Sequence, residues 1–232
     1  MRDSKLVLAL ETASPCGGVA VVGEEVLGEI TLSSRETYSR RLLTACHHLL
    51  TQLGLKLVDL AAVAVSIGPG SFTGLRIGLA TAKGLHFATG LPLIGVETLK
   101  ALALNAYPTP HLICPALDAR RNQLYVALYQ RENGGLKEIL PPSLLAPEKL
   151  LPWLKGPTVF LGDGLKAFEA FFREKLGENL VTLPPHLAHP RAAAVGILAR
   201  ERLLAGELDD PLRLLPLYLR PSEAELKRGS PA

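Results

Sequence analysis

The sequence predicts an α/β protein of two lobes, each built from a mixed sheet with helices. Short apolar strands joined by turns come first, strand–helix alternation follows, and this order occurs twice along the chain. The motif Pro108-Thr109-Pro110 separates the two series, so we expect lobes at residues 1–106 and 107–232. The last helix is also a candidate to pack back on the first lobe. With 48% apolar residues, the 232-residue chain can fill both cores.

The first lobe opens with three strands in a predicted antiparallel meander, at Leu6–Leu10, Val19–Val22 and Val26–Leu32. Ser33 or Ser34 is expected to cap the next helix, in which apolar side chains recur at helical spacing as far as Gly54. The remaining predicted elements are a strand at Ala61–Ile67, a helix that ends near Gly90, a strand at Leu93–Val96 and a helix from Glu97 to about Ala106.

The second lobe repeats this plan, beginning with strands at Leu112–Leu117 and Leu124–Tyr129 around the polar turn Asp118–Gln123. A hairpin at Gly134-Gly135 leads into Leu136–Leu140, and the prolines that follow predict a loop or short helix. The last predicted elements are a strand at Thr158–Leu161, a turn at Gly162-Asp163-Gly164, and helices at Leu165–Leu176 and Arg191–Ala205.

The most informative motif is SIGPGSFTGLRIG, at residues 66–78, where a buried strand meets a Gly-Pro-Gly turn and a helix. Such a turn brings bare amides to a helix N-terminus, where an anion or a close partner backbone could sit. Gly70, Gly74, Gly78 and Ala82 recur every four residues, so a second helix or the lobe's own sheet could pack closely there. The spacing fits neither a Walker A loop nor a dinucleotide fingerprint.

This motif and the segment LATAKGLHFATGLPLIGVETLKALA that follows it resemble the TsaB (YeaZ) family. The resemblance extends to Leu6–Glu11 with Thr12-Ala13-Ser14, to Asp118–Tyr125 and to Leu217–Pro221. It implies a two-lobed fold of the actin-like, sugar-kinase and Hsp70 type (ASKHA). It also implies a function in tRNA modification, namely support of threonylcarbamoyl transfer to adenosine 37 (t6A) of tRNAs that read codons beginning with A.

The resemblance further implies that the chain is not itself an enzyme. The catalytic relative TsaD carries a metal-binding His-x-x-x-His motif, and the positions that align with it are Thr98 and Leu102, neither of which is an imidazole ligand. The implied partners are a TsaD-like catalytic subunit, a TsaE-like ATPase, a second copy when the chain is alone, and tRNA only through the complex. We expect no metal and no cofactor, with ATP or ADP entering only in the complex.

Two sets of candidate residues follow from the resemblance. A partner interface through two helices is expected to involve Tyr38, Arg41, Leu42, Gly74, Leu75, Arg76, Gly78, Leu79 and Lys83. A nucleotide cleft would involve Glu11, Thr12, Ser14, Asp118, Arg120, Gly162 and Gly164. Glu11 could hold hydrated magnesium or simply accept local hydrogen bonds at its strand end. The turn Asp118–Gln123 has no glycine to wrap phosphate, although Arg120 and Arg121 could pair with phosphate, a partner protein or tRNA.

Two other function classes stay open from the sequence, an ATP-binding phosphotransferase of the actin-like superfamily and a glycoprotease-like metallopeptidase. The second has little support, because neither a nucleophile elbow nor an HExxH motif is present. The net charge of +3 is too small for a dedicated nucleic-acid binder, and three scattered cysteines argue against a disulfide framework. Without a membrane-length apolar run or a signal-peptide pattern, we expect a cytoplasmic protein.

Overall fold

A computed structural model of the chain describes residues 5–33 and 38–220. Ser34, one of the two predicted caps, and Pro221, the end of a motif noted above, lie outside these residues. The strands of the first lobe are β1 (Val7–Glu11), β2 (Cys16–Val22), β3 (Val26–Ser33), β4 (Ala62–Gly68) and β5 (Leu93–Glu97). Its helices are α1 (Tyr38–Gln52), α2 (Phe72–Thr89) and α3 (Thr98–Ala103).

The first sheet has the order β3-β2-β1-β4-β5. Strands β1, β2 and β3 pair antiparallel, whereas β4 and β5 add in parallel. Helix α2 ends where predicted, because Gly90 adopts a left-handed φ of 76° and its amide donates to the His86 carbonyl.

The second lobe repeats the topology of the first. Its sheet has the order β10-β9-β6-β7-β8, in which β6, β7 and β8 form the antiparallel meander and β9 and β10 add in parallel. This duplicated plan confirms the two-lobed actin-like fold expected from the sequence. The strands are β6 (Leu112–Asp118), β7 (Leu124–Glu132), β8 (Gly135–Leu145), β9 (Thr158–Leu161) and β10 (Leu180–Thr182), and the helices are α4 (Pro147–Leu150), α5 (Gly164–Leu176) and α6 (Ala192–Leu204).

Two parts of the second lobe differ from the sequence prediction. Strand β8 continues through Pro141 and Pro142, where a loop or short helix was expected. It is an edge strand, so a proline that lacks an N–H donor need not break an internal ladder. Strand β10 was not predicted, because three residues are too few to show an alternating pattern.

Helices cover both faces of the first sheet. The side chains of Leu8, Leu10 and Val65 pack with α1 and α2 on one face, and Val7, Ala9 and their neighbours pack with α6 on the other. Helix α6 presents mostly small side chains, so it lies close to the sheet. Glu29 of β3 fixes the start of α6, because its carboxylate accepts the amide of Ala193 (3.0 Å) and pairs with Arg191.

The lobes meet through an apolar layer around α3. Leu99, Leu102 and Ala103 pack against Ile113 and Tyr129 of the second sheet, and all five are fully or almost fully buried. The chain then returns along the outer edge of the first sheet, where the carboxylate of Asp209 accepts the amide of Gly95 (2.8 Å). Across residues 5–33 and 38–220, no helix is both long enough and apolar enough to cross a bilayer.

Candidate functional site

A cleft of about 630 Å³ lies between the lobes. The β1–β2 turn and the N-terminus of α2 form its first wall, and the β6–β7 hairpin turn forms the opposite wall. Of the seven residues predicted for a nucleotide cleft, the structure brings Ser14, Asp118 and Arg120 to its surface. The cleft is also lined by residues that the sequence analysis did not assign to it, among them Ser71, Phe72, Tyr125, Asp163, Tyr218 and Arg220.

Two glycines of α2, Gly74 and Gly78, pack on the β1–β2 turn of the same lobe. The amide of Ser71 donates to the Ala13 carbonyl (2.7 Å), and the Ser71 hydroxyl caps the amide of Gly74 (3.2 Å). A Cβ on Gly78 would lie 2.2 Å from Thr12 Oγ1, and one on Gly74 would strike the Thr12 carbonyl. The sequence left two possibilities for the close contact on this stripe, a second helix or the lobe's own sheet. The structure shows that the backbone of the same lobe makes this contact.

Glu11 and Thr12 were predicted to line the cleft, but they lie beneath it and are fully buried. Oε1 of Glu11 accepts the amide of Ala13 at 2.6 Å, and burial raises the pKa of this carboxyl to about 7. Among the described residues, neither Glu11 Oε2 nor Thr12 Oγ1 has a hydrogen-bond partner. The geometry therefore fits a strand-end carboxyl that binds the local backbone, the simpler of the two predictions for Glu11.

Gly162 and Gly164 were also predicted to line the cleft, but they face strand β6. A Cβ on Gly162 would collide with the Ala116 carbonyl, and one on Gly164 would lie 2.8 Å from the Leu117 carbonyl carbon. Their role parallels that of Gly74 on the Thr12 backbone in the first lobe. Between them, Asp163 reaches the cleft and accepts the amide of Asp118 (3.0 Å).

The β6–β7 turn has an unusual backbone. Arg120, Arg121 and Asn122 adopt positive φ values of 61°, 53° and 55° in succession, a region that side chains with a Cβ rarely occupy. Asp118 stabilises the turn, since its carboxylate accepts the amide of Arg120 (2.7 Å) and pairs with the Arg120 guanidinium (3.0 Å). Arg120 thus lies at the cleft but is already engaged by an acidic side chain.

The segment Leu217–Arg220, which we call the strap, ties the two walls of the cleft together. On the first lobe, the Leu217 amide donates to the Ile67 carbonyl (2.7 Å) and the Tyr218 ring stacks on Phe72 at 4.8 Å. On the second lobe, Arg220 donates to the Ala119 carbonyl (2.6 Å) and to the side chain of Gln123. The strap therefore fixes the hairpin turn relative to α2.

The two helices predicted to form a partner interface lie next to each other, but many of the named side chains point inward. The buried members are Tyr38, Leu42, Gly74, Leu75, Gly78 and Leu79, so these six do not form the outer surface of the two helices. Tyr38 donates its hydroxyl to the Ser14 carbonyl (2.5 Å), which holds it in the core. Arg41 and Lys83 are half-buried and Arg76 is exposed, so these three remain candidates for partner contact.

A shallow apolar groove lies between α1 and α2 on their outer side, and we call it the outer groove. It is lined by Leu43, Ala80, Thr81, Gly84 and Leu85. Leu43 is 56% exposed, which is high for a leucine in a helix that packs on a sheet. A Cβ on Gly84 would meet no atom within 4 Å, so this side of α2 is open. The four-residue spacing of Ala80 and Gly84 was the signal that could have identified it.

Comparisons with known proteins agree across nearly the whole chain. The family model for TsaD, tRNA N6-adenosine threonylcarbamoyltransferase, matches residues 25–228. The tRNA threonylcarbamoyladenosine biosynthesis protein TsaB of Bacillus subtilis is 34% identical over 227 residues, which cover 95% of this chain and 96% of the relative. The TsaB protein of Escherichia coli is 31% identical and covers 92% of this chain and 94% of the relative.

A solved structure has the same fold. YeaZ from Pseudomonas aeruginosa superposes with a TM-score of 0.80 at 30% sequence identity, and the match covers 93% of this chain and 100% of that chain. Both lobes are therefore shared with that protein.

Proposed function

Since this chain belongs to the TsaB family of tRNA threonylcarbamoyladenosine biosynthesis proteins, we propose that it is a non-catalytic subunit that supports a TsaD-type enzyme. That enzyme would transfer the threonylcarbamoyl group to adenosine 37 of tRNAs that read codons beginning with A. The observation that carries the proposal is the similarity to proteins named TsaB at 30–34% identity over more than nine-tenths of the chain. A tRNA-modifying assembly works on cellular tRNA, so we place the chain in the cytoplasm.

The environment of Thr98 and Leu102 supports a non-catalytic role. The hydroxyl of Thr98 accepts the amide of Gly68 (3.1 Å), and Leu102 is fully buried in the apolar layer between the lobes. Both positions thus serve packing and backbone geometry where a metal-dependent relative would need imidazole ligands. In the described part of the chain, no three His, Cys, Asp or Glu side chains come together as a metal site.

The cleft gives little support to phosphotransfer by the chain alone. Its hairpin turn lacks glycine, and the one arginine that lines it there, Arg120, is paired with Asp118. A nucleotide would need free donors, and the strap already uses the donors of Arg220 on Ala119 and Gln123. ATP or ADP would therefore bind only in the complex, where a TsaE-type ATPase would join.

The outer groove is the surface that we propose for the TsaD-type subunit. It combines an exposed leucine, Leu43, with the small residues Ala80 and Gly84, which allow the backbone of another helix to approach. The same surface would pair two copies when the chain is alone, and tRNA would bind through the assembled complex.

Reconstitution with purified TsaD-type and TsaE-type subunits tests this proposal. We expect t6A, measured by mass spectrometry of digested tRNA, only when all subunits are present. Gly84→Arg adds a bulky cation to the open side of α2, so it should stay folded and weaken binding of the TsaD-type subunit at least tenfold, about 1.4 kcal/mol. Ala170→Arg, at an exposed position of α5, is the matched control and should bind normally.

Two results would contradict the proposal. Modification at the full rate without this chain would remove its supporting role. A Gly84→Arg variant that binds and modifies normally would show that the outer groove is not the contact surface.

A further inference from the structure

The two helices that border the outer groove carry cations but not a single acidic residue. Helix α1 contains Arg40 and Arg41, and helix α2 contains Arg76 and Lys83, while neither includes Asp or Glu. The chain as a whole has 22 acidic and 25 basic residues, so this separation of charge is local. Residues 34–37, which precede α1, add one arginine and one glutamate and thus no net charge.

These cations flank the outer groove. Arg40 lies one helical turn before Leu43, and Arg76 and Lys83 lie four residues before and three after Ala80, so these two border Ala80 on the side of α2 that faces away from Thr81 and Leu85. Within the described residues, none of them forms an ion pair. Arg76 is held in place by stacking 3.8 Å over the Phe72 ring and by a hydrogen bond to the Tyr218 hydroxyl (3.0 Å).

Two acidic residues of the same lobe are engaged elsewhere. Glu29 pairs with Arg191 and accepts the amide of Ala193, and Asp59 accepts the amide of Lys56. The outer groove is thus an apolar strip with an uncompensated positive rim, a combination that matches a protein surface with an apolar centre and an acidic rim.

We propose that this surface selects an acidic-rimmed protein partner over a second copy of the chain, and that this preference is electrostatic. The inference rests on the function proposed above, in which the partner is the TsaD-type subunit. A two-fold pairing of identical chains brings the same patch of each copy together, so Arg40 and Lys83 would face other cations. A partner with carboxylates at its rim would be attracted instead, and its association would be accelerated.

A protein partner fits these observations better than RNA. The residues that line the groove are aliphatic or small, with Leu43 and Leu85 the largest, and none of these five is an aromatic residue on which a base could stack. Three rim cations are also fewer than the six to ten phosphate contacts of a typical strong nucleic-acid interface.

If the preference is electrostatic, binding of the TsaD-type subunit and self-association should respond to salt in opposite directions. Raising the salt concentration screens both attraction and repulsion between exposed charges. From 50 to 500 mM NaCl, the complex with the TsaD-type subunit should therefore weaken about tenfold, whereas self-association should strengthen. Both constants can be measured by sedimentation velocity on the full-length proteins.

Charge reversal assigns the effect to this surface. The double variant Arg40→Glu/Lys83→Glu should bind the TsaD-type subunit about tenfold more weakly at 50 mM NaCl and lose the salt dependence. Mixed with the unchanged chain, it should form a mixed dimer more readily than either protein pairs with itself. Lys149→Glu/Lys166→Glu, at exposed positions of the second lobe, changes the net charge equally and should match the unchanged chain.

The outcomes separate this inference from the proposed function. If no complex with the TsaD-type subunit forms at any salt concentration, the proposed function fails and the inference fails with it. A complex whose affinity is the same at all salt concentrations, or two double variants that behave alike, overturns only the inference. It is also overturned if the free chain binds tRNA and only the α1/α2 double variant loses that binding, because the cations would then serve RNA.

Discussion

A sharp test of the packing of α2 compares alanine at two of its glycines. At Gly78, a Cβ would lie 2.2 Å from Thr12 Oγ1 and 3.3 Å from Thr12 Cβ and Cγ2, and Thr12 is fully buried with little room to move. At Gly84, a Cβ would meet nothing within 4 Å. The same substitution in the same helix thus enters a filled space in one case and an open surface in the other.

The two substitutions are expected to change the free energy of unfolding in opposite directions. Alanine in place of a helical glycine gains roughly 0.5–1 kcal/mol, and overpacking a core costs about 1–3 kcal/mol. Gly84→Ala should therefore raise the free energy of unfolding by about 0.5–1 kcal/mol, and Gly78→Ala should lower it by about 1–2 kcal/mol. For a chain of this length, each kcal/mol shifts Tm by about 2–4 °C, so calorimetry resolves the two variants.

A double mutant identifies the colliding atoms. Thr12→Ala removes Oγ1 and Cγ2, and Oγ1 has no hydrogen-bond partner among the described residues, so little is lost except packing. The loss of unfolding free energy in the variant Thr12→Ala/Gly78→Ala should be smaller than the sum of the losses in the two single variants, by about 1 kcal/mol or more. If Gly78→Ala were as stable as Gly84→Ala, or if Thr12→Ala gave no rescue, the assignment of this glycine stripe to the lobe interior would be refuted.

Three further predictions concern other parts of the molecule. The pKa of Glu11 rises from 4.5 to about 7 on folding, so the native state binds more protons and stability should fall by about 3 kcal/mol as pH rises through this range. Urea titrations at several pH values should show this slope, and Glu11→Gln should flatten it. Glu29→Gln should cost about 1 kcal/mol, seen as a lower urea midpoint, because the start of α6 loses a charged acceptor and the Arg191 pair. Arg220→Ala should accelerate hydrogen exchange of the Gln123 amide about tenfold, because the strap no longer holds the hairpin turn.

Each of these has a clear contradicting result. A pH slope that survives Glu11→Gln would assign it to another group. An unchanged midpoint for Glu29→Gln would show that α6 is held by packing alone, and unchanged exchange for Arg220→Ala would show that the turn is stable without the strap.

Much of the fold was predictable because local signals and tertiary structure agree. Strands β1, β4 and β9 are short apolar runs bounded by turns, and α2 follows a Gly-Pro-Gly turn and ends at Gly90, so their positions followed from the sequence. Strand β10 and the continuation of β8 through two prolines were missed, because pairing with a neighbouring strand decides them and no local pattern reveals it.

The candidate sites were less predictable for a physical reason. Helical spacing shows which residues share a side of α2, but it does not show which side meets the core. The glycine stripe indicated a close approach, and only the position of Thr12 shows that the approaching group belongs to the same lobe. The strap has no periodic pattern, so its contacts with Phe72 and Gln123 were outside the reach of sequence reasoning.

The position of α6 has a consequence for synthesis of the protein. One face of the first sheet, with Val7, Ala9 and Ile94, is covered by a helix at residues 192–204, which the ribosome makes long after the strands of that sheet. At about 5–20 residues per second, that apolar face waits on the order of ten seconds for its cover after the first lobe emerges. A nascent chain in this state is a natural client for a chaperone, and a fragment that ends before α6 would expose the same face permanently and aggregate.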